Sequence, residues 1–267
     1  SYMFPRFGST PLPDVTGADL RQAILAARQK ARGVAKKTVY RTSFVFRRGI
    51  AEGLCADNPT TSQALALPRK NRMPKHRKAL RYNYLTACIE AIKESRALAS
   101  TKLALEFLIL TASRSGEVRH ALWSEIDLEE RVWIVPADRA KQKRPHRVPL
   151  SDRAMGVLAD AETLKDGSGY VFPSLRANPL SDMTLSKLVK EPSFDADVHG
   201  FRTSFRTWGQ ERMNFPREVL EAALGHTLGD AAEQAYARSD LFEKRCSMMG
   251  RWAEFLENPQ AKVTRVA

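Results

Sequence analysis

Residues 199–208 read His199-Gly200-Phe201-Arg202-Thr203-Ser204-Phe205-Arg206-Thr207-Trp208, and they lie in a mostly helical pattern from about residue 182 to 257. Prolines 192 and 216 and glycine 229 interrupt that pattern. Because His199 and Arg202 are three residues apart, a helix places both side chains on one face. Two interpretations fit this spacing: an exposed polar face, or two functional groups presented together.

The sequence on the N-terminal side of this stretch predicts further helices and one small sheet. Helices are predicted from Thr16, and over about 37–53, 79–95, 101–112 and 151–161. Residues 131–136 are rich in β-branched and aromatic residues and predict a strand. A polar turn at about 141–145 leads to a second predicted strand at 147–150, and the two strands make a hairpin. The chain is therefore predicted to be mainly α with a small antiparallel β-sheet.

Three other polar segments accompany the helical stretch. They are Thr111-Ala112-Ser113-Arg114-Ser115-Gly116-Glu117, the turn Lys141-Gln142-Lys143-Arg144, and Leu224-Gly225-His226 followed by Tyr236. Each has an ordinary explanation by itself: Arg114 can pair with Glu117, His226 can cap a helix or lie in the core, and Tyr236 can pack on an amphipathic helix.

The positive charge of the chain is concentrated in its first hundred residues. The whole sequence has 43 Lys and Arg against 30 Asp and Glu, and residues 1–100 hold 19 of the basic residues but only 6 of the acidic ones. This asymmetry indicates a polyanion-binding part joined to a balanced part. Ribosomal, membrane-surface and simply basic proteins share such a charge, so it does not identify nucleic acid as the partner.

Part of this charge lies on the second predicted helix and part in a basic tract after it. Residues 68–78 have almost no apolar content and predict an extended linker between a helical domain at 1–67 and a second domain at 79–267. Phosphate binding and a solvated surface both explain the basic side chains of these two segments, which are Lys36, Lys37, Arg41, Arg69, Lys70, Arg72 and Lys75.

Several classes of protein are disfavoured. The three cysteines are far apart without a CxxC pair, which argues against a disulfide framework or a zinc ribbon and fits a reducing cytoplasm. The longest apolar run, near 103–112, is too short to span a bilayer, and no signal peptide is visible at the start. No HExxH, clustered carboxylates or P-loop is present, so neither a metal nor a nucleotide cofactor is expected.

Taken in order, the polar segments resemble the signature of tyrosine recombinases of the phage-integrase type. That signature is Arg…Lys…His-x-x-Arg…His…Tyr, and the flanking words "TASRSGEV", "KQKRPHRVPL", "YVFPS", "HGFRTSFRTW" and "LGH" agree with it. The resemblance spans roughly residues 80–257, with a weaker match at about 4–60. It implies the tyrosine recombinase catalytic fold, preceded by a partial helical core-binding domain.

The resemblance assigns a role to each matching position. Glu117 matches the residue that supports the first catalytic arginine, and Lys141 matches the hairpin lysine because it lies eight residues before Pro149. Lys143 is the nearby rival for that role and otherwise a DNA contact. The implied catalytic set is Arg114, Lys141, His199, Arg202, His226 and Tyr236.

The resemblance also implies an activity and partners. Tyr236 would form a 3′-phosphotyrosine during integration or excision of a prophage or other mobile element, in a bacterial cytoplasm and associated with the nucleoid. The implied partners are double-stranded DNA at attachment sites, other copies in a tetramer on DNA, and accessory DNA-bending proteins; no membrane is expected. A type IB topoisomerase and a non-catalytic DNA-binding module are the alternatives.

The family's arm-binding domain and first core-binding helices have no counterpart in this sequence, so the sequence is expected to be a fragment. Near the C-terminus, residues 241–257 carry an apolar stripe. Packing on its own domain and docking on a neighbouring protomer both explain that stripe.

Overall fold

The computed structural model describes residues 3–30, 32–67, 78–190, 194–226 and 239–258. The chain divides into two compact units, Ser1–Pro74 and Lys75–Ala267. Almost all of the predicted linker, along with Arg69, Lys70, Arg72, Lys75 and Tyr236, lies outside the described residues. No helix in the described ranges is long and apolar enough to cross a membrane.

The first unit contains the helices α1 (Phe4–Phe7), α2 (Gly17–Lys30), α3 (Arg32–Ala51) and α4 (Ser62–Leu65). Helix α2 begins close to Thr16 as predicted, and Thr16 caps it, since its Oγ1 accepts a hydrogen bond from the Asp19 backbone N–H at 3.2 Å. Leu20, Ile24 and Phe46 form a small core. Helix α3 begins about five residues earlier than predicted, and Ala35 in this additional part is buried in that core.

The second unit is built around helix α6 (Ala99–Thr111), which is buried on nearly all sides. A helix that is apolar all round requires neighbours on every face. The neighbours that the structure provides are α5 (Leu85–Glu94), α7 (Ser115–Arg119), α8 (Asp152–Glu162), α9 (Asp182–Lys190) and the last helix, α12 (Phe242–Glu257). Helices α10 (Gly200–Arg212) and α11 (Arg217–Ala223) complete the unit.

The predicted hairpin forms the larger part of a three-stranded antiparallel sheet, β1 (Ile126–Asp127), β2 (Val132–Val135) and β3 (His146–Pro149). Val132 pairs with Pro149 and Val135 pairs with His146. Strand β1 was not predicted because two residues are too few to show a period-two pattern. The predicted fold class, mainly helical with a small antiparallel sheet, is confirmed.

The apolar stripe near the C-terminus packs within its own unit. Met248, Met249 and Trp252 of α12 are buried, and the indole Nε1–H of Trp252 donates to the carbonyl oxygen of Ile109 at 2.9 Å. The Trp252 ring also contacts that of Trp208 in α10, with 4.9 Å between ring centroids. Helix α12 is thereby fixed against the core, and β3 is among the elements it contacts.

Candidate active site

An open pocket of about 310 Å³ lies in the second unit, where the β2–β3 turn, the end of α11 and the start of α12 meet. Basic and polar side chains dominate its lining, which consists of Arg114, Ala140, Lys141, Gln142, Arg144, Pro145, His146, Arg147, Ala222, Gly225, His226, Ser239, Asp240, Leu241 and Arg245. Three predicted site residues, Arg114, Lys141 and His226, therefore meet at one cavity.

Arg114 stands at the N-cap of α7, directly after the end of α6. Its Nη1 donates to Glu117 Oε1 at 2.8 Å, and its backbone N–H donates to Glu117 Oε2 at 2.9 Å. Glu117 is buried, so this carboxylate holds both the backbone and the guanidinium of Arg114. The Arg114–Glu117 pairing expected from their spacing is present.

Arg202 is buried on α10, and its guanidinium lies close to that of Arg114, since both donate to the carbonyl oxygen of Leu224. Its Nη1 donates to the carbonyl oxygen of Ala112 at 2.5 Å, and its Nη2 donates to that of Leu224 at 2.6 Å. Burial, reinforced by the charge of Arg114, lowers the pKa of Arg202 to about 10. The side chain remains charged at neutral pH.

His226 follows α11 in a tight turn. Gly225 adopts the left-handed conformation with a φ of +56°, and a Cβ there would lie 3.3 Å from Nε2 of His146. His226 Nδ1 lies 2.6 Å from Glu221 Oε2, and its Nε2 lies 3.3 Å from Nη2 of Arg202. With Nδ1–H donated to the carboxylate, Nε2 is directed towards the arginine side of the site.

The carboxylate of Glu221 is buried and also pairs with Arg206, whose Nη2 lies 2.6 Å from Oε1. Burial acts to raise the pKa of Glu221, but the hydrogen bond with His226 and the charge of Arg206 outweigh it and hold the pKa below its ordinary value. The spacing pattern did not identify Glu221. The sequence feature that could have indicated Glu221 is its position as an acidic residue on the helix that ends at the Leu224-Gly225-His226 turn.

The two lysines of the hairpin turn differ in their surroundings. Lys141 is exposed and lines the pocket. Lys143 does not line it; its Nζ donates to the carbonyl oxygen of Asp138 at 3.1 Å, and its φ is +55°. Arg139 anchors the base of the turn by donating to the carbonyl oxygen of His120 and pairing with Glu125.

His199 stands at the N-cap position of α10, three residues before Arg202, and its side chain is exposed. It does not line the pocket that Arg114, Lys141 and His226 share. Of the residues predicted to contact DNA, Lys36, Lys37 and Arg41 are exposed along α3 of the first unit.

Two further features of the pocket were not predicted. His146 is enclosed beneath the Gly225 turn, and burial, with the charge of Arg245, lowers its pKa to about 4. Arg147, Asp240 and Arg245 form an ion-pair cluster at the pocket edge. Sequence spacing gives no signal for either, because the contacts join segments about 80 to 100 residues apart. Within the described ranges, no group of three or more His, Cys, Asp or Glu side chains is placed to hold a metal ion.

Comparison with known proteins gives consistent matches. The model of the phage integrase family matches residues 78–241. Prophage integrase IntA of Escherichia coli K12 is 30% identical to this chain over 96% of the chain's length. This chain spans only 62% of the length of IntA and 63% of the length of prophage integrase IntZ from the same organism.

Solved structures match in fold. The Tn1549 transposon integrase in complex with circular intermediate DNA has a TM-score of 0.64 and 16% identity, covering 90% of this chain and 88% of that chain. A lambda integrase tetramer bound to a Holliday junction has a TM-score of 0.59 and 24% identity, covering 82% of this chain and 66% of that chain. At these identities the likeness shows the fold.

Proposed function

Since the chain belongs to the phage integrase family, we propose that it is a site-specific recombinase that cleaves and rejoins DNA through a 3′-phosphotyrosine on Tyr236. The observation that carries this proposal is the meeting of Arg114, Lys141 and His226 at one pocket. His226 and Ser239 are the described residues on either side of the segment 227–238, and both line the pocket that contains Arg114 and Lys141. Because Tyr236 is three residues from Ser239, the Cα atoms of these two residues can be at most about 11 Å apart.

The two arginines suit a phosphodiester under attack. Charge develops on the non-bridging oxygens in the transition state, and planar guanidinium groups bind such oxygens in bidentate fashion. Arg114 and Arg202 are held by buried carbonyl and carboxylate groups, so they need little reorganisation when the phosphate enters. Preorganised charge of this kind is a major source of catalysis.

The proposed covalent step is a nucleophilic attack on the phosphodiester. The Tyr236 hydroxyl oxygen attacks phosphorus, its proton passes to His199, and the bond from phosphorus to the 5′-oxygen breaks. Lys141 donates a proton to the leaving 5′-oxygen, while His226 and the arginines hold the phosphate. A 5′-hydroxyl of the partner strand reverses the step, and the energy of the broken bond is retained in the phosphotyrosine, so no nucleotide cofactor is required.

The proposed partners follow from the solved relatives. Duplex DNA at attachment sites is the substrate, by analogy with the Tn1549 integrase–DNA complex, and a tetramer is the active assembly, by analogy with lambda integrase on a Holliday junction. Accessory DNA-bending proteins would assist that assembly. The exposed Lys36, Lys37 and Arg41 of α3 would contact phosphates, together with Arg69, Lys70, Arg72, Lys75 and Lys143.

Nicked suicide substrates built from candidate attachment sites test the proposal. The nick lets the short fragment diffuse away after cleavage, so a covalent protein–DNA adduct should accumulate. The released fragment should carry a free 5′-hydroxyl. Binding of these duplexes without an adduct would identify a non-catalytic module. Relaxation of supercoiled plasmids without attachment sites, in the absence of strand exchange, would favour a topoisomerase.

A further inference from the structure

We infer that Asp240, with Arg147 and Arg245, forms a positioning cluster. This cluster fixes the position of the chain at the C-terminal end of the segment that carries Tyr236. This inference rests on the proposed function, since it concerns how the nucleophile is presented. The cluster itself consists only of described residues and joins the start of α12 to strand β3.

Asp240 accepts three hydrogen bonds from the two arginines. Arg147 Nε donates to Oδ2 at 2.9 Å and Arg147 Nη2 donates to Oδ1 at 2.8 Å, so this pair is bidentate. Arg245 Nη2 donates to Oδ2 at 2.7 Å. Bidentate charge-assisted bonds fix direction as well as distance, and the position of the Asp240 carboxylate is therefore determined from two sides.

Arg245 ties this arrangement to the backbone of the sheet. Its side chain is 1% exposed, and its Nη1 donates to the backbone carbonyl of Arg147 at 2.6 Å. Both guanidinium groups also lie near the Phe242 ring, at 4.1 Å for Arg147 and 5.5 Å for Arg245. Asp240 is thus held against β3, which directly follows the hairpin turn that contains Lys141.

The backbone next to Asp240 is also constrained. Leu241 adopts the left-handed conformation with a φ of 56°, at the N-cap of α12, and its N–H donates to Ser239 Oγ at 3.1 Å. Ser239, Asp240 and Leu241 all line the pocket. Asp240 is only four residues after Tyr236, so a shift of this anchor is transmitted to the nucleophile over a short length of chain. A displacement of about 1 Å at a reacting group can cost about 100-fold in rate.

A purely structural role is the alternative, because removing Asp240 leaves a buried arginine without its carboxylate. The two roles give different kinetics on a suicide substrate. Loss of folded protein reduces the fraction of DNA that is finally trapped and leaves the rate constant of trapping unchanged. A misplaced tyrosine reduces the rate constant and leaves the final fraction unchanged.

The test therefore measures single-turnover adduct formation at saturating DNA, with both rate constant and amplitude recorded. Asp240→Asn should lower the rate constant about 10-fold to 100-fold, with amplitude and DNA affinity within about twofold of wild type. Asp240→Glu, which keeps the charge, should recover part of the rate. The matched control is Asp152→Asn, which breaks the exposed Arg131–Asp152 pair away from the pocket and should keep the wild-type rate.

Arg147→Lys provides a second variant in case Asp240→Asn does not fold. Arg147 is 47% exposed and its loss leaves the Arg245–Asp240 pair in place, while lysine cannot form the bidentate contact. The rate constant of adduct formation by Arg147→Lys should also fall, while the amplitude should stay at the wild-type value. Wild-type rate constants in both variants, or losses confined to amplitude, would overturn the inference. Absence of any adduct with the wild-type protein would instead contradict the proposed function.

Discussion

Arg114 and Arg202 donate to the same atom, the carbonyl oxygen of Leu224, at 3.2 and 2.6 Å. That carbonyl lies at the C-terminal end of α11, where backbone carbonyls carry partial negative charge that favours cations. The end of one short helix therefore fixes the spacing of two positive side chains that would otherwise repel each other. A guanidinium has five N–H donors, so each can hold such a carbonyl and a phosphate oxygen together.

The first prediction concerns the two hairpin lysines. Lys141→Ala should slow cleavage by roughly 10²–10⁴-fold, the range for losing a positioned general acid. Lys143→Ala should reduce the cleavage rate much less, because the amine of Lys143 donates to the backbone carbonyl oxygen of Asp138. A 5′-bridging sulfur leaves without protonation, so a substrate containing it should rescue only the Lys141 variant. Selective rescue of the Lys143 variant would reverse the two assignments.

The second prediction concerns the carboxylate behind His226. Glu221→Ala should lower the cleavage rate by roughly 10-fold to 100-fold at unchanged DNA affinity, since a hydrogen bond to a charged group is worth about 1.5–3 kcal/mol. Glu221→Gln keeps an acceptor for His226 Nδ1, so its cleavage rate should fall less than that of Glu221→Ala. Glu218→Ala, an exposed position on the same helix, serves as the control in single-turnover assays. Equal rates for Glu221→Ala and this control would show that the contact is unimportant.

The third prediction concerns His146 and pH. Burial first, and then Arg245, lowers its pKa to about 4, although the charge of Glu117 opposes this and that of Arg114 adds to it. The unfolded chain therefore binds this proton at higher pH than the folded chain does. The stability that depends on neutral His146 is present above about pH 6.5 and is lost as pH falls towards 4.

Urea unfolding between pH 4 and pH 7 tests this third prediction. The free energy of unfolding of wild type should fall by roughly 1–3 kcal/mol more over this range than that of His146→Gln. Parallel pH profiles of the two proteins would mean that His146 is not neutral in the folded state.

The fourth prediction concerns the basic tract between the two units. Neutralising Arg69, Lys70, Arg72 and Lys75 together should weaken binding to any duplex and flatten the slope of log K against log salt by about 0.9 for each lost phosphate contact. Sequence preference should change little, because phosphate contacts position a protein without reading bases. Titrations at several salt concentrations measure the slope. An unchanged slope would identify the tract as a solvated spacer.

The fold and the predicted catalytic set differ in how far the sequence determines them. Helix periodicity and β-branched runs identified α6, α8 and the β2–β3 hairpin because those signals are local. The ordered signature identified Arg114, Lys141 and His226 as candidates, and these three line one pocket.

What the sequence did not indicate is the set of contacts that hold the candidates in place. Glu221 reaches His226 only because Gly225 turns the chain back after α11, and Asp240 reaches Arg147 only because α12 packs beside β3. Such contacts depend on tertiary packing, so no fixed spacing reports them. Lys143 likewise has a φ of +55° and donates to the backbone carbonyl oxygen of Asp138, and the eight-residue spacing of Lys141 from Pro149 predicts neither feature.

The most direct measurement of the central claim is to locate the covalent bond to DNA. Adducts formed on a suicide substrate would be digested with protease and the DNA-linked peptide identified by mass spectrometry, for wild type, Tyr236→Phe and the control Tyr170→Phe. The DNA should be found on Tyr236 in wild type and in Tyr170→Phe, and Tyr236→Phe should bind DNA within about twofold of wild type and form no adduct. Undiminished adduct in Tyr236→Phe, or a linked peptide that lacks Tyr236, would contradict the proposed mechanism.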